Sequence, residues 1–204
     1  MSERNMWEIE QKYFAQGIRL VCGVDEAGRG PLAGPVCAAA VILPANLDIP
    51  GLDDSKKLTD KRRRELFPII QEQSIAYAVA FADHCEIDRI NILQATFLAM
   101  ERAVNSLSVR PEIALIDGNR EKNFGLPVET VVQGDSRSAS IAAASILAKV
   151  TRDDYMLEMA KTYPQYGFEI HKGYGTKAHY AALEQSGPCA IHRMTFLKKL
   201  YGSK

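Results

Sequence analysis

The sequence lacks several features that would assign it to common protein classes. No apolar run approaches the ~20 residues that a membrane-spanning helix requires. The first 17 residues are polar and have no apolar signal-peptide core. The four cysteines show no C-x-x-C spacing and we expect no histidine partners for them, which argues against a zinc site. These absences predict a cytoplasmic protein with free thiols and no membrane contact.

The chain also lacks a surplus of either charge. Its 25 Lys and Arg residues balance 25 Asp and Glu residues, and this counts mildly against nucleic-acid binding. The positive residues are clustered, however, and the position of charges matters as much as their sum. The clusters are Lys56–Lys57, Lys61–Arg64, Lys172 with Lys177, His192–Arg193 and Lys198–Lys199.

The length limits the number of domains. A chain of 204 residues buries roughly 70% of its unfolded surface and can fold without disulfides or structural metals. No repeat or low-complexity tract divides it. We expect one structural unit, with a main domain over residues 1–160 and a helical C-terminal extension over residues 161–204.

The most informative stretch, Val24–Pro35, places two acids before a glycine-rich turn. The runs Leu20–Val24 and Val36–Leu43 on either side are short and apolar, which is typical of buried strands. Burying the charges of Asp25 and Glu26 costs several kcal/mol unless cations or hydrogen bonds compensate. Two interpretations fit: metal ions held against a phosphodiester, or a hairpin loop whose acids are solvated.

Two further predicted strands lead into an acid beside a glycine. Ile113–Ile116 is followed by Asp117, and Val128–Val132 is followed shortly by Asp135. Each alone fits a turn, because Asp and Gly are common at strand ends. Three strands that deliver carboxylates in one small domain favour a shared site.

Apolar spacing and capping residues predict the remaining elements. The predicted helices are Trp7–Gln16, a helix capped by Thr59 that Pro68 should kink or interrupt, Asp88–Leu107, Ser138–Val150 with its continuation toward Tyr163, and Ala178–Gln185. Ile75–Ala82 alternates large and small residues and predicts a strand.

Two polar segments could contact a nucleic acid. Ser55 and Lys56 could reach phosphates, although a solvated helix start is the commoner fate of such residues. Tyr174 lies between glycines and lysines, a context that suits a ring presented to a sugar or base. An ordinary exposed turn fits Tyr174 equally well.

Together these motifs resemble bacterial ribonuclease HII, the type 2 ribonuclease H. The resemblance covers nearly the whole chain, and its first motif is highly specific. It is carried by Gly23–Val36, Asp54–Leu58, Ile116–Asn119, Gly134–Ser136, Ser140–Lys149, His171–Thr176 and His192–Phe196.

The resemblance implies an α/β, ribonuclease H-like fold: a five-stranded mixed sheet flanked by helices, with a helical C-terminal extension that contacts substrate. It implies that two Mg²⁺ or Mn²⁺ ions bind four catalytic carboxylates, which suits hard oxygen ligands. These carboxylates are Asp25, Glu26, Asp117 and Asp135. Asp153 and Asp154 are nearby rivals to Asp135, which we prefer because it follows an apolar strand.

The resemblance also implies an activity. Such enzymes hydrolyse the RNA strand of RNA–DNA hybrids and nick 5′ to single ribonucleotides in duplex DNA, leaving a 3′-hydroxyl and a 5′-phosphate. We expect a monomer. The substrate-binding residues that we predict are Gly28, Arg29, Gly30, Ser55, Lys56, Lys149, Tyr174, His192 and Arg193.

Two alternatives remain open at this point. The same fold could serve a structure-specific DNA nuclease or a type 3 ribonuclease H, although type 3 enzymes carry an added N-terminal domain and only about twenty residues precede the first predicted strand here. The chain could instead be a non-catalytic nucleic-acid-binding module. Four acids facing phosphate argue against a pure binder.

Overall fold

The computed structural model describes residues 5–120 and 122–201, which form five strands and seven helices. The strands are β1 (Val21–Ala27), β2 (Val36–Ile42), β3 (Ala76–Ala82), β4 (Ile113–Asp117) and β5 (Val128–Val131). The helices are α1 (Glu8–Phe14), α2 (Asp60–Gln73), α3 (His84–Asn105), α4 (Ala139–Thr162), α5 (Phe168–His171), α6 (Lys177–Ser186) and α7 (Lys198–Tyr201). Short 3-10 segments are Gly134–Ser136, Pro164–Tyr166 and Met194–Leu197. The predicted segments 1–160 and 161–204 include residues 1–4 and 202–204, which lie outside the described ranges.

The sheet is mixed, with the strand order β3-β2-β1-β4-β5. β2 runs antiparallel to β1 and β3, whereas β1 with β4 and β4 with β5 run parallel. This arrangement confirms the predicted fold class. Because parallel strands end at the same edge of a sheet, β1 and β4 finish side by side, with Val24 paired to Ile116.

Both faces of the sheet are covered by helices. This explains why β2, whose side chains are buried on both faces, is apolar throughout. Its alternate residues point to opposite faces. Val36, Ala38, Ala40 and Ile42 join the core cluster that includes α3. Cys37, Ala39 and Val41 join a second cluster with residues of α2 and α4.

α4 lies unusually close to β1, because its first half is built from small residues. A Cβ atom built on Gly23 of β1 would lie 2.1 Å from the main-chain carbon of Ser140. The start of α4 is fixed by Ser138, whose hydroxyl accepts the N–H of Ile141 at 3.1 Å. Glu10 of α1 accepts the Ser138 hydroxyl at 2.6 Å and the Ser140 N–H at 3.0 Å. The N-terminal helix therefore holds the end of α4 nearest Asp135.

The predicted interruption at Pro68 does not occur, because α2 runs through this residue. Leu66 and Ile70 are fully buried on either side of it. Pro68 itself faces solvent, where water can bind the carbonyl that lacks a helical donor. Burial of the neighbouring residues outweighs a cost of about 3 kcal/mol for an internal proline.

α3 begins earlier than the predicted Asp88 and contains a break. Asp83 and Glu86 form a capping box at its start, a signal present in the sequence. Asn91 has a φ of 67°, so two helical segments meet there at a kink. Its side chain accepts the N–H groups of Leu93 and Gln94 at 3.0 and 3.1 Å and caps the second segment.

The C-terminal segment packs on the β1–β2 loop and on the second half of α4. Leu32, Ala33 and Met156 share a buried cluster with Phe168 and with other residues of this segment. The boundary predicted at residue 160 falls two residues before α4 ends at Thr162. No helix in the described ranges is long and apolar enough to span a membrane.

The contact at Gly23 generates a stability prediction. Gly23→Ala should destabilise the fold by about 3 kcal/mol or more, since the added methyl group meets main-chain atoms that cannot turn aside. Thermal unfolding of the purified variant measures this loss. Gly30→Ala is the control: its Cβ would make an ordinary 3.5 Å contact, so its Tm should stay near that of the wild type. Equal melting of both variants would contradict the prediction.

Candidate active site

Three carboxylates gather at the edge where β1 and β4 end. Oxygen atoms of Asp25, Asp117 and Asp135 all lie within 4.8 Å of one another. Asp25 is on β1, Asp117 is the last residue of β4, and Asp135 lies in the 3-10 segment after β5. The structure thus brings together three of the four acids that the sequence singled out. The fourth, Glu26, follows Asp25 in β1 and lines a groove that also contains Asp25 and Asp117.

Main-chain N–H donors, and one residue with a left-handed backbone conformation, orient these acids. The Glu26 N–H donates to Asp25 Oδ1 at 2.7 Å, and the Gly134 N–H donates to Asp117 Oδ1 at 2.7 Å. Gln133 adopts the left-handed conformation, with a φ of 55°. This turn directs the chain back toward β4, so that Asp135 joins the group.

The clustered acids repel one another. Burial, together with the charges of Glu26 and Asp117, raises the pKa of Asp25 well above its usual range. Burial also raises the pKa of Glu26, although Arg29 opposes this. Burial and the charge of Asp117 raise the pKa of Asp135. All three carboxyl groups would be stabilised as anions by an added cation.

Two basic side chains offset part of this charge. Lys56 Nζ donates to Asp135 Oδ2 at 3.1 Å, and Arg29 donates to Glu26 Oε1 at 3.2 Å. Burial lowers the pKa of Lys56, but the bond to Asp135 and the charge of Asp25 outweigh it and raise the pKa to about 12. The Lys56 side chain is 75% exposed, so this cation can also move toward a ligand.

The donor set fits a hard divalent cation. The cluster offers carboxylate oxygens, as Mg²⁺ and Mn²⁺ prefer, and no soft ligand is among its members. The rival acids are engaged elsewhere: Asp153 accepts Lys149 Nζ at 2.7 Å, and Asp154 pairs with Arg64 at 2.7 Å.

The expectation that no cysteine has a histidine partner is wrong. Cys85 Sγ lies 3.3 Å from His84 Nε2, and Cys189 Sγ lies 3.1 Å from His192 Nδ1. The first pair is adjacent in the sequence and was visible there. The second pair is three residues apart and depends on the turn before His192. All four thiols are free.

A groove of about 390 Å³ opens beside the carboxylates. It contains most of the predicted substrate-binding residues. Its lining includes Gly28, Arg29, Gly30, Ser55, Lys56, Lys149 and Tyr174, together with Asp25, Glu26, Asp117 and Arg63. Asp135 lines an adjoining pocket with Lys56 and Lys57.

His192 and Arg193 do not line this groove, although both were predicted to bind substrate. They are 2% and 0% exposed. The Arg193 guanidinium donates to the main-chain carbonyls of Gly34 at 2.9 Å, Arg29 at 2.9 Å and Gly28 at 2.6 Å. The structure therefore places Arg193 behind the glycine loop, residues 28–35 between β1 and β2, as a support for its main chain, and gives no support for direct substrate contact.

Arg152 is a second support, which our sequence reasoning missed. Its guanidinium donates to the carbonyls of Pro35 at 3.1 Å, Ala33 at 3.2 Å and Lys172 at 3.0 Å. It also lies 5.9 Å from the ring centre of Tyr174. One signal in the sequence could have indicated that Arg152 is buried. This arginine lies four residues after Ala148, on the same face of a helix whose small residues pack on the sheet.

Arg63 was noted only as part of a charge cluster. Its guanidinium donates to the carbonyls of Ser55 at 2.8 Å and Leu58 at 2.5 Å. It thereby fixes the loop that presents Ser55 and Lys56 to the groove. Arg63 therefore binds main-chain carbonyls, although its neighbours in the basic run give no indication of this.

The chain is similar to known proteins over nearly its full length. Residues 22–199 match the sequence model of the family described as ribonuclease HII. The chain is 54% identical over 198 residues to ribonuclease HII of Caldicellulosiruptor bescii, covering 97% of this chain and 96% of the relative. It is 58% identical over 194 residues to ribonuclease HII of Endomicrobium trichonymphae, covering 94% and 92%.

Solved structures agree. Ribonuclease H2 from Pyrococcus horikoshii superposes with a TM-score of 0.71 at 30% identity, over 86% of this chain and 92% of that chain. RNase H3 from Aquifex aeolicus superposes with a TM-score of 0.67 at 20% identity, over 93% of this chain and 77% of that chain. The second likeness concerns the fold alone.

The repulsion within the carboxylate cluster generates a prediction for Asp25→Asn. A carboxyl whose folded pKa is raised loses stability as the pH rises from its unfolded value near 3.8 through its folded value. In EDTA at pH 7 the neutral variant should therefore have a higher Tm than the wild type. Added Mn²⁺ should raise the Tm of the wild type and have little effect on the variant.

The control for this experiment is Asp154→Asn. Asp154 is half exposed and pairs with Arg64, so its loss should change stability by less than about 1 kcal/mol. It should leave the response to Mn²⁺ intact. If Asp25→Asn lowered the Tm in EDTA, or kept the full response to Mn²⁺, the described electrostatics would be wrong.

Proposed function

Because the chain belongs to the ribonuclease HII family, it is a ribonuclease H hydrolase, and we propose that it nicks duplex DNA on the 5′ side of a single embedded ribonucleotide as well as cleaving RNA–DNA hybrids. The observation that carries this proposal is the groove itself. Its lining contains the acids Asp25, Glu26 and Asp117 together with Gly28–Gly30 and Tyr174. A site for phosphodiester chemistry thus lies beside a site that can inspect a sugar.

We propose that Asp25, Glu26, Asp117 and Asp135 hold two divalent cations, Mg²⁺ or Mn²⁺. When bound, such ions supply Lewis-acid stabilisation of the leaving oxygen and a more acidic water. Since water rather than the 2′-hydroxyl is then the nucleophile, the products carry a 3′-hydroxyl and a 5′-phosphate. Lys56, at 3.1 Å from Asp135, favours the ionised form of that carboxylate against the effects of burial and of Asp117.

The glycine loop supports recognition of a ribose. Gly28 is required by the protein itself, because its φ is +94° and a Cβ would lie 2.9 Å from the Pro35 carbonyl oxygen. Gly30 is different: a Cβ there would make only an ordinary 3.5 Å contact with Tyr174. The absence of a side chain at Gly30 leaves room for another molecule. A 2′-hydroxyl, which both donates and accepts hydrogen bonds, distinguishes RNA from DNA at such a position.

The remaining groove residues are assigned to the phosphates. Lys149 and Arg29 are cations in the lining, and Ser55 is a hydroxyl donor beside them. These groups can position the backbone without reading the base sequence. Monomeric action in the cytoplasm stays a prediction.

The first test uses an end-labelled DNA duplex with one ribonucleotide, incubated with Mg²⁺ or Mn²⁺ and with an EDTA control. We expect nicking 5′ to the ribonucleotide that requires the metal. Asp25→Asn should reduce the rate by more than about 100-fold, since loss of even an outer-shell partner of a metal ligand costs 10–100-fold.

The other outcomes separate the alternatives. Cleavage confined to longer RNA tracts would retain the hydrolase and remove the junction-reading role. Cleavage of branched or flapped DNA without ribonucleotides would favour a structure-specific nuclease. Binding of hybrids without cleavage in either metal would favour a non-catalytic module.

Tyr174→Ala tests recognition separately from chemistry. The variant should lose its preference for the single-ribonucleotide duplex by about 10–100-fold, in line with 1–3 kcal/mol for an aromatic ring stacked on a nucleotide. Its Mn²⁺-dependent rise in Tm should remain, because the carboxylates are untouched. Tyr77→Ala is the matched control: Tyr77 is a comparably exposed tyrosine on β3 and outside the groove lining. Full cleavage by Tyr174→Ala would remove this tyrosine from the proposed site.

A further inference from the structure

Three histidines are buried beneath the loop that carries Tyr174, and none of them lines the groove. His171, His179 and His192 are 9%, 0% and 2% exposed. The rings of His171 and His179 stack at a centroid distance of 4.5 Å, and those of His179 and His192 lie 5.2 Å apart. Burying three polar rings together is unfavourable unless their nitrogens are satisfied.

The hydrogen bonds fix the proton positions from both ends of one chain. The Cys189 N–H, which can only donate, lies 2.9 Å from His192 Nδ1, and the Cys189 carbonyl oxygen lies farther from that nitrogen, at 3.3 Å. The shorter contact makes Nδ1 the acceptor, so the neutral ring of His192 carries its proton on Nε2. At the other end, the carbonyl oxygen of Tyr174 lies 2.9 Å from His179 Nδ1 and can only accept, so His179 carries its proton on Nδ1. His192 Nε2 then donates to the bare His179 Nε2 at 3.0 Å.

The same direction follows whether the chain is read from Cys189 or from Tyr174. Burial lowers the pKa of His179, and burial together with the nearby His179 lowers that of His192 to about 4. Both rings are therefore neutral near pH 7, as the arrangement of donors and acceptors requires. We refer to the chain Cys189 N–H, His192, His179 and Tyr174 carbonyl as the histidine relay.

The relay ends at a segment that needs restraint. Lys172 has a φ of 51°, which is uncommon for a residue with a side chain, and Gly173 follows with a φ of 82°. The Gly173 N–H donates to His171 Nδ1 at 3.2 Å, so His171 holds the other side of this turn. The Tyr174 carbonyl also accepts the Thr176 N–H at 2.8 Å. Buried imidazoles thus bond the main chain at two successive residues, the N–H of Gly173 and the carbonyl of Tyr174.

We propose that the histidine relay is a positioning device that fixes the main chain of Tyr174, and that His179 and His192 thereby determine how strongly the enzyme prefers a ribonucleotide. This inference rests on the proposed function of Tyr174. Neither histidine needs to touch substrate: the relay sets where the Tyr174 ring lies beside Gly30 in the groove. An apolar residue at position 179 would fill the space but leave the Tyr174 carbonyl with one bond fewer.

The relay can be tested without any substrate. Long-range ¹H–¹⁵N spectra of the imidazoles report which nitrogen bears the proton. We expect His179 as the Nδ1–H tautomer and His192 as the Nε2–H tautomer, both neutral at pH 7. The opposite tautomer at His179, or a positively charged ring at either position, would overturn the proposal.

Variants at position 179 then test its effect on specificity. The measured quantity is the ratio of kcat/KM on the single-ribonucleotide duplex to kcat/KM on a long RNA–DNA hybrid. His179→Leu should lower this ratio about three- to tenfold, the effect of one lost hydrogen bond. His179→Asn should recover most of it, because the amide nitrogen of Asn occupies the place of Nδ1 and can donate to the Tyr174 carbonyl.

A double-mutant comparison distinguishes positioning from a general structural role. Combined with Tyr174→Ala, His179→Leu should not change the ratio further. If the ratio fell equally in both backgrounds, or if Asn and Leu at position 179 behaved alike, the positioning role would be wrong.

Failure of the proposed function would be seen in different measurements from failure of the relay. In that case the wild type itself shows no ribonucleotide preference, and the tautomer spectra together with amide exchange decide the relay. His179→Leu should then still speed exchange of the Thr176 amide, which shares the Tyr174 carbonyl. Unchanged exchange would overturn the relay.

Discussion

Hydrogen bonds from two buried arginines to main-chain carbonyls hold the substrate-facing loops in place. Arg152 and Arg193 are each at most 1% exposed, and they donate to carbonyls of the β1–β2 loop and of Lys172. Burial lowers the pKa of both guanidinium groups, that of Arg193 to about 9. Placing two cations there is unfavourable in itself. The arrangement is retained because a loop rich in glycine has few side chains of its own with which to hold its shape.

The acidic residues of the groove are positioned by the sheet, whereas its loops are positioned by buried arginines. Asp25, Asp117 and Asp135 are brought together by strand ends and a left-handed turn, and burial together with repulsion between the acids raises the pKa values of Asp25 and Asp135. The fold tolerates this strain because β1 is central, paired on both sides, and covered by α4. A rigid strand thus carries the part of the site that is least favourable in the absence of metal.

Much of this could be predicted from sequence, where the signal is local. Acids after apolar runs located the cluster, and Thr59 and Ser138 marked helix starts that the structure retains. The misses share a cause: they depend on contacts between distant segments. Nothing near Arg193 indicates that its side chain turns inward to carbonyls more than 150 residues earlier. The direction of the bond between His179 and His192 is set by main-chain groups that only the folded chain brings together.

The three clustered acids also differ in how firmly the sheet retains them. β5, which precedes Asp135, is an edge strand of four residues whose only strand neighbour in the described sheet is β4. Such edges open locally at a lower free energy than the whole domain requires to unfold. Brief fraying of β5 would unpair Asp117 from Val131 and shift Asp135, while Asp25 stays on the central strand β1. The completeness of the site is thus governed by the local opening of one sheet edge, and global stability measurements do not report it.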